Sequence, residues 1–317
     1  MSLEYKILWV DDDVETFEDL EYPSRIQNYL SELFFEPIIQ TYDTVKEAKE
    51  NITAQKYDLI LSDYNIDNEK GDDFIRFIRE QHVSTEILFY SAQSEFITAA
   101  HALLQDRISF ASINSPTGEG YKILYDKILD LINYTIKKVQ ELPNVRGLVM
   151  TETSYLDKLM SDLILKYIEQ AEPKKMTDIQ KKLFKHMSKS IKGNLNKNEC
   201  ENSCSLKIEE KAMNEIVKMR LFESSKKAYT IKLLIEIEKL KVETKADFYT
   251  DYIEDIINNR NNLAHAYSEY QNGKEVLVTN APNGIIVFDA EKCAQIRSNI
   301  LFYKRMLDSL FYQLNLK

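Results

Sequence analysis

The sequence predicts an α/β domain built on a five-stranded parallel sheet, followed by a mostly helical domain. Short apolar runs alternate with helical patterns through the first half of the chain, and a parallel sheet needs such crossover helices between its strands. Beyond residue 150 the strand signal almost disappears, and apolar residues recur every three or four positions. A chain of 317 residues is long enough for two domains, each with its own core.

The first domain has five short apolar segments with the composition of buried strands. We place strands at residues 5–10, 37–42, 57–62, 86–90 and 108–113. Predicted helices occupy residues 23–35, 44–55, 72–81, 94–105 and 120–140. Leu142-Pro143-Asn144 then indicates a helix end, so residues 1–141 form the first predicted domain and residues 142–150 the linker.

The second domain, residues 151–317, is predicted to be a helical bundle. Its helices are expected at residues 153–170, 174–192, 207–221, 224–241, 246–268 and 290–314. A polar, asparagine-rich stretch at residues 193–206 is expected to be a surface loop. Val276–Thr279 and Ile285–Phe288 flank a Pro-Asn-Gly turn, which predicts a small β-hairpin before the last helix.

Composition and charge limit the class of protein. Seven Gly and six Pro argue against a fibrous or disordered chain, and no apolar stretch is long enough for a membrane span. Three cysteines do not make a disulfide framework, so we expect a cytoplasmic protein that does not enter a membrane. The first 150 residues hold 14 Lys+Arg and 27 Asp+Glu, whereas residues 151–317 hold 27 Lys+Arg and 24 Asp+Glu. The acidic first half suits a cation, and the mildly basic second half suits a polyanion.

Carboxylates follow two of the predicted strands where each strand ends. Asp11, Asp12 and Asp13 come directly after the first strand, and Asp63 follows the third. Open α/β sheets place their binding crevice at the carboxyl ends of the strands, so neighbouring strands would bring these side chains together. Two carboxylates ~5 Å apart repel by roughly 3 kcal/mol at an effective dielectric constant near 20, so the cluster needs a cation, a shared proton or separation in space. Oxygen ligands of this kind suit Mg²⁺, whereas Asp13 alone is typical of a helix cap.

Three segments, ILWVDDD, DLILSDYN and GDDFIRFIRE, resemble motifs of the response-regulator receiver domain, over about residues 4–140. The resemblance implies a flavodoxin-like fold, Mg²⁺ as the cofactor, and a histidine kinase or another phosphodonor as the partner. It also implies that Asp63 is the phosphoacceptor, that Ser91 is the switch hydroxyl, and that Gly71 is the glycine before the third helix. The implied metal ligands are Asp11, Asp12, Asp63 and the carbonyl of Asn65.

One region departs from the receiver pattern. The family carries a lysine just before a proline after the fifth strand, where it neutralises the phosphoryl group, but Ser115 precedes Pro116 here. Ser112 stands where the family usually has an aromatic residue. Losing one charge-assisted hydrogen bond removes roughly 1.5–3 kcal/mol of the coupling between phosphate and conformation. We therefore expect an intact metal pocket and an altered readout of phosphorylation.

The predicted helix at residues 174–192 is amphipathic with a basic face. Met176, Ile179 and Leu183 belong to its apolar stripe. Its basic residues include four candidates for RNA binding: Lys181, Lys182, Lys185 and Lys189. Such a face can follow phosphates, contact a membrane surface or simply be solvated, and the sequence leaves these alternatives open.

The segment INNRNNLAHAYSE places Arg260, Asn261 and His265 on adjoining faces of one predicted helix. Histidine can move a proton near pH 7, and arginine can stabilise charge on a pentavalent phosphorus, so the set suits phosphodiester cleavage without a metal. A histidine on a buried helix is also often only hydrogen-bonded. RNNLAH in a helical domain resembles the HEPN family, over about residues 150–317. Many members of that family are metal-independent endoribonucleases that act as homodimers, so the resemblance implies this activity and this assembly. Other members are interaction modules without nuclease activity.

The sequence thus predicts a two-component signalling protein whose receiver domain controls a helical output domain. The leading hypothesis for the output is metal-independent endoribonuclease activity, with Arg260 and His265 as the catalytic residues and Asn261 in support. The alternative is a non-enzymatic module for dimerisation or partner docking, in which the same residues would be buried and individually satisfied. A DNA-binding output ranks last, because the sequence has no helix-turn-helix pattern with a basic recognition helix near its C-terminus.

Overall fold

The computed structural model of the chain describes residues 2–66, 69–93, 95–103, 107–114, 119–194, 212–282 and 284–316. Ser115, Pro116 and all but the first two residues of the predicted loop at 193–206 lie outside these ranges. The chain divides into two compact units, Met1–Val145 and Arg146–Lys317. No helix within the described ranges has the length and the apolar composition needed to cross a bilayer.

The first unit contains the predicted parallel sheet. Its strands, in chain order, are β1 Glu4–Val10, β2 Glu36–Tyr42, β3 Leu59–Asp63, β4 Asn65–Ile66, β5 Glu69–Lys70, β6 Glu86–Ser91 and β7 Ile108–Ser112. Five of them form one parallel sheet in the order β2-β1-β3-β6-β7, and β4 and β5 form a separate two-stranded ladder. The predicted fold class is confirmed, and the β4–β5 ladder is an addition to it. This strand order places the topological switch point of the sheet between β1 and β3.

Helices cover both faces of this sheet. They are α1 Val14–Asp19, α2 Tyr22–Glu32, α3 Val45–Ala54, α4 Gly71–Glu80, α5 Phe96–Ala102 and α6 Gly120–Gln140. One buried layer packs α1, α2 and α6 on side chains such as Trp9 and Leu61, and the other packs α3, α4 and α5 on side chains such as Leu8 and Ile60. The sequence does not predict α1, because Phe17 is the one buried residue of this acidic segment. The Phe17 ring packs on Trp9, with the ring centroids 4.8 Å apart.

The second unit is mostly helical, as predicted. Its helices are α7 Leu142–Gln170, which starts in the first unit, α8 Pro173–Asn194, α9 Met213–Val217, α10 Ser224–Glu238, α11 Phe248–Tyr252, a π-helix at Ile253–Asn258, α12 Asn259–Ala264 and α13 Ala290–Gln313. Residues 142–150, the predicted linker, form the first turns of α7, and the division between the units falls inside this segment. A proline in the first turn of a helix has no N–H that needs a partner, so Pro143 is compatible with a helix start.

An antiparallel sheet of three strands precedes α13, where the sequence predicts two. The strands are β8 Tyr267–Gln271, β9 Lys274–Ala281 and β10 Gly284–Phe288, in the order β10-β9-β8. β8 replaces the end of the predicted helix at 246–268. Asn272 and Gly273 join β8 to β9 with φ angles of 53° and 75°, and a two-residue hairpin turn requires such positive values. The Asn-Gly pair is therefore the sequence signal that locates β8.

Candidate functional site

The carboxyl edge of the parallel sheet brings the acidic residues of β1 and β3 together. Val10 of β1 pairs with Ser62 of β3, so the next residues, Asp11 and Asp63, lie side by side at this edge. Asp11 is 4% exposed, and Asp63 is half-buried. The two carboxylates therefore meet at the switch point of the sheet, where open α/β sheets bind their ligands.

Two hydrogen bonds fix the side chain of Asp11. The backbone N–H of Asp13 donates to Oδ1 at 2.8 Å, and the hydroxyl of Tyr90 donates to Oδ2. Tyr90 in turn accepts a hydrogen bond from Nε1 of Trp9 at 2.7 Å. Burial raises the pKa of Asp11, and the two hydrogen bonds to its carboxylate oppose that shift. Sequence reasoning misses Tyr90, because 79 positions separate it from Asp11.

Asp63 lies in an environment that disfavours its charge. Burial raises its pKa from 3.8 to about 7, and the nearby carboxylates of Asp11 and Asp12 add to the shift. The backbone N–H of Asn65 donates to Oδ2 at 2.9 Å and partly offsets these effects. Near neutral pH the group is therefore divided between the acid and the carboxylate, and a bound cation would favour the carboxylate.

A glycine allows the chain to pass close to Asp63. Gly71 begins α4, and its N–H donates to the carbonyl oxygen of Tyr64 at 2.8 Å. A Cβ atom on Gly71 would lie 2.0 Å from the carbonyl oxygen of Asp63 and 2.8 Å from the ring of Phe89. The first residue of α4 must therefore be glycine for the backbone of Asp63 to keep its position.

Ser91, the predicted switch residue, ends β6 beside the acidic edge. It is 1% exposed, and its Oγ accepts a hydrogen bond from the N–H of Gln93 at 3.1 Å. In the sheet it pairs with Ser112 of β7. Residues 108–114 include no lysine or arginine, so β7 and the two residues after it bring no cation to this edge.

The donor atoms at this edge suit a hard divalent cation. By the receiver resemblance these donors would be the carboxylate oxygens of Asp11, Asp12 and Asp63 and the carbonyl oxygen of Asn65, and the carboxylates of Asp11 and Asp12 act on Asp63 through their charge. Within the described part of the chain, no group of three or more His, Cys, Asp or Glu side chains is arranged to hold a metal by itself. Mg²⁺ fits such an edge, because it takes one or two carboxylates and keeps several waters. A structural zinc ion would need four protein ligands rich in nitrogen or sulfur.

In the helical unit, Arg260 contacts three polar side chains. Its Nη1 donates to Oγ of Ser224 at 3.1 Å and lies 3.9 Å from Oδ2 of Asp157. Ser224 itself donates to that carboxylate oxygen at 2.5 Å. Nε and Nη2 of Arg260 donate to Oδ1 of Asn261 at 3.2 and 3.0 Å. The guanidinium, on a side chain that is 27% exposed, therefore already has a charge partner and hydrogen-bond acceptors within its own chain.

His265 directly follows α12 and is exposed. The structure describes His265, Arg260 and Asn261, and no hydrogen bond joins the histidine side chain to the other two. The structure thus brings Arg260 and Asn261 together and gives His265 no direct bond to them. The π-helix Ile253–Asn258 comes immediately before α12. π-helices are rare in proteins, and those that do occur are often found at functional sites.

Three of the candidate RNA-binding lysines, Lys181, Lys182 and Lys185, are exposed on α8. The side chain of Lys189 lies outside the described residues. Lys182 and Lys185 line a cleft of about 390 Å³, together with His186 and Tyr229. The rings of His186 and Tyr229 stack with their centroids 3.8 Å apart. This cleft combines positive charge with aromatic surface, the two features that single-stranded nucleic acids need.

Comparison with known proteins bears on the first unit. Residues 7–110 match the family model of the response regulator receiver domain. Among similar solved structures, the chemotaxis protein CheY4 of Vibrio cholerae has 19% identity over 40% of this chain and 98% of that chain, with a TM-score of 0.30. The receiver domain of the Francisella response regulator 1452 has 18% identity over 43% of this chain and 99% of that chain, with a TM-score of 0.32. A two-component response regulator from Clostridium difficile has 20% identity over 41% of this chain and 97% of that chain, with a TM-score of 0.31.

No curated protein matches the chain. The family model covers most of the first unit, and the five parallel strands have the strand order of a flavodoxin-like sheet, the fold that the receiver resemblance implies. By its family model and its sheet, the chain carries a response regulator receiver domain at residues 7–110.

Proposed function

We propose that Asp63 is a phosphoacceptor, and that its modification by a histidine kinase or another phosphodonor controls the helical unit. The observation that carries the proposal is the position of Asp63 at the end of β3, beside Asp11, with a pKa of about 7. A carboxylate oxygen of Asp63 attacks the phosphorus of the donor and forms an O–P bond. The bond from phosphorus to the donor breaks, and the donor leaves with the electron pair, as the imidazole of a histidine or as acetate from acetyl phosphate.

The residues around Asp63 have separate roles in this reaction. The N–H of Asn65 orients the Asp63 carboxylate, and Tyr90 holds the carboxylate of Asp11 in place. Mg²⁺, held by the acidic residues and the Asn65 carbonyl, would neutralise charge on the transferring phosphoryl group. Ser91 ends the neighbouring strand, and we assign its hydroxyl to a hydrogen bond with the bound phosphoryl group.

Trp9 offers a direct assay of this site. It is the single tryptophan of the chain, it is fully buried, and Tyr90 links it to Asp11. Mg²⁺ and then beryllofluoride, which mimics a phosphoryl group, should change the emission of Trp9 in the wild-type protein. Asp63→Asn should abolish the response to beryllofluoride, and Asp43→Asn, at an exposed carboxylate, should leave it intact. A wild-type protein that does not respond would contradict the phosphoacceptor role.

A second candidate function, for the helical unit, is the binding and cleavage of single-stranded RNA. It is supported by the exposed His265 close in sequence to Arg260 and Asn261, and by the lysines of α8 beside the His186–Tyr229 stack. His265 would move a proton and Arg260 would stabilise charge on phosphorus, without a metal. A homodimer would bring two copies of these residues to one cleft.

The contacts of Arg260 favour the non-enzymatic alternative. Its guanidinium is paired with Asp157 and hydrogen-bonded to Ser224 and Asn261. It would have to leave these partners to reach a substrate phosphate. A dimerisation or docking module has no such requirement, because there the arginine only holds α12 in place.

Single-stranded RNA in the presence of EDTA separates the two functions. For a nuclease, Arg260→Ala and His265→Ala should each reduce cleavage roughly 10²- to 10⁴-fold, and His101→Ala, at an exposed histidine of the first unit, is the control. Lys182→Glu combined with Lys185→Glu should weaken RNA retention, most strongly at low salt. Cleavage that survives both alanine substitutions, or that needs a metal, would contradict the mechanism. In a parallel assay with Mg²⁺ and beryllofluoride in place of EDTA, a protein that dimerises without cleaving RNA would identify the docking module.

A further inference from the structure

Lys70 is brought back to the acidic edge by the small β4–β5 ladder. In this ladder Asn65 pairs with Lys70, and Ile66 pairs with Glu69. Lys70 therefore lies opposite a residue only two positions after Asp63 in the chain. It also directly precedes Gly71, whose close approach to the Asp63 carbonyl fixes the path of the backbone here.

Two hydrogen bonds, both made by Asn65, connect the ammonium group of Lys70 to the Asp63 carboxylate. Its Nζ donates to Oδ1 of Asn65 at 2.5 Å, and the N–H of the same asparagine donates to Oδ2 of Asp63 at 2.9 Å. The Lys70 ammonium also lies 4.4 Å from the centroid of the Tyr64 ring, and such cation–π contacts hold a cation without neutralising it. Lys70 itself is exposed, so its flexible side chain is free to change its acceptor.

The modified site would carry more negative charge than one Mg²⁺ neutralises. A phosphoryl group carries about −1.5 to −2 charges at neutral pH, and Asp11 and Asp12 already stand at the same edge. The residues of β7 and those directly after it, 108–114, supply no lysine or arginine. Exchanging the neutral amide oxygen of Asn65 for an anionic phosphoryl oxygen would strengthen the hydrogen bond of Lys70, because ionised acceptors bind ammonium groups more tightly.

We propose that Lys70 is the cation that pairs with the phosphoryl group on Asp63. The inference rests on the proposed phosphoacceptor role of Asp63. Lys70 takes no part in breaking or forming a bond. Its ammonium group moves from Oδ1 of Asn65 to an oxygen of the phosphoryl group, and it stabilises the modified carboxyl group by charge.

This role has a consequence that a structural role does not have. Mg²⁺ and the ammonium group carry charges of the same sign, so Lys70 opposes the binding of the metal while it favours the binding of the anion. Removing its charge should therefore weaken beryllofluoride binding and leave Mg²⁺ binding equal or tighter. A lysine that only shaped the β4–β5 ladder would affect both ligands in the same direction.

The test uses the full chain and two titrations followed by Trp9 emission, with Mg²⁺ alone and with beryllofluoride at saturating Mg²⁺. Lys70→Met should lower the affinity for beryllofluoride about tenfold or more, the loss of one charge-assisted hydrogen bond, without lowering the affinity for Mg²⁺. Lys70→Arg should stay within about threefold of the wild-type protein for both ligands, because it keeps the charge. Lys56→Met, at an exposed lysine of the same unit, is the matched control and should change neither affinity.

Two results would overturn the inference while leaving the phosphoacceptor role intact. One is a Lys70→Met protein that binds beryllofluoride as tightly as the wild-type protein does. The other is a parallel loss of Mg²⁺ and beryllofluoride binding, which would assign Lys70 to the shape of the ladder. A wild-type protein that binds no beryllofluoride would instead overturn the phosphoacceptor role of Asp63, and the pairing by Lys70 with it.

Discussion

Asp63→Asn should stabilise the first unit against urea at pH 8 when no metal is present. The pKa of Asp63 is about 7 in the folded protein, against an ordinary value of 3.8. A raised pKa means that the folded state holds the proton more tightly than the unfolded state does. The free energy of unfolding therefore falls as the pH rises from about 4 to about 7. Above this range the wild-type protein carries the full penalty, whereas asparagine has no charge to bury.

The size of the effect follows from the two pKa values. One pKa unit corresponds to about 1.4 kcal/mol, so the penalty at pH 8 is about 4 kcal/mol. At pH 5 the folded Asp63 is mostly protonated, and the penalty is about 1.5 kcal/mol. The amide oxygen of asparagine can still accept the N–H of Asn65, so that hydrogen bond is retained. The gain in unfolding free energy from the substitution should thus be larger at pH 8 than at pH 5 by about 2–3 kcal/mol.

The assay is urea unfolding in EDTA at the two pH values, followed by the emission of Trp9. The single tryptophan lies in the first unit, so its signal reports that unit and not the second. Saturating Mg²⁺ should reverse the ranking, because the wild-type carboxylate binds the cation better than an amide does. An equal gain at pH 5 and pH 8, or no gain at pH 8, would refute the reasoning.

Two further substitutions test how the site is built. Gly71→Ala should destabilise the first unit by roughly 3 kcal/mol or more, because the new Cβ would meet the Asp63 carbonyl at 2.0 Å. The control is Gly147→Ala, where a Cβ would meet nothing within 4 Å; this change should be neutral or stabilising by about 0.5–1 kcal/mol. If unfolding followed by circular dichroism showed a similar loss of stability for both variants, the packing argument would be contradicted. Tyr90→Phe should cost about 1–3 kcal/mol in urea unfolding, because Nε1 of Trp9 and Oδ2 of Asp11 each lose a buried partner. The same variant should bind Mg²⁺ more weakly, and wild-type stability together with wild-type Mg²⁺ affinity would show that the bond to Asp11 does not position the carboxylate.

The sheet and its acidic edge follow from the sequence. Short apolar runs that end in a carboxylate specify strands that are buried on both faces, as β1 and β3 are. Parallel strands end at one edge of their sheet, so the ends of these runs also locate Asp11 and Asp63, and the end of the apolar run of β6 locates Ser91. The Asn-Gly turn before β9 is a local signal of the same kind, since only a few residue pairs tolerate its positive φ angles.

Only the tertiary structure decides which of the reactive side chains are placed to bind a ligand and which are already paired within the chain. The bond from Tyr90 to Asp11 spans 79 positions, and the bond from Arg260 to Ser224 spans 36. Sheet register and helix packing set these contacts, and no periodicity in the sequence encodes them. Burial raises the pKa of Asp63, and the carboxylate of Asp157 pairs with Arg260. Both effects depend on what surrounds a residue in space, which the identities of its neighbours in the chain do not specify.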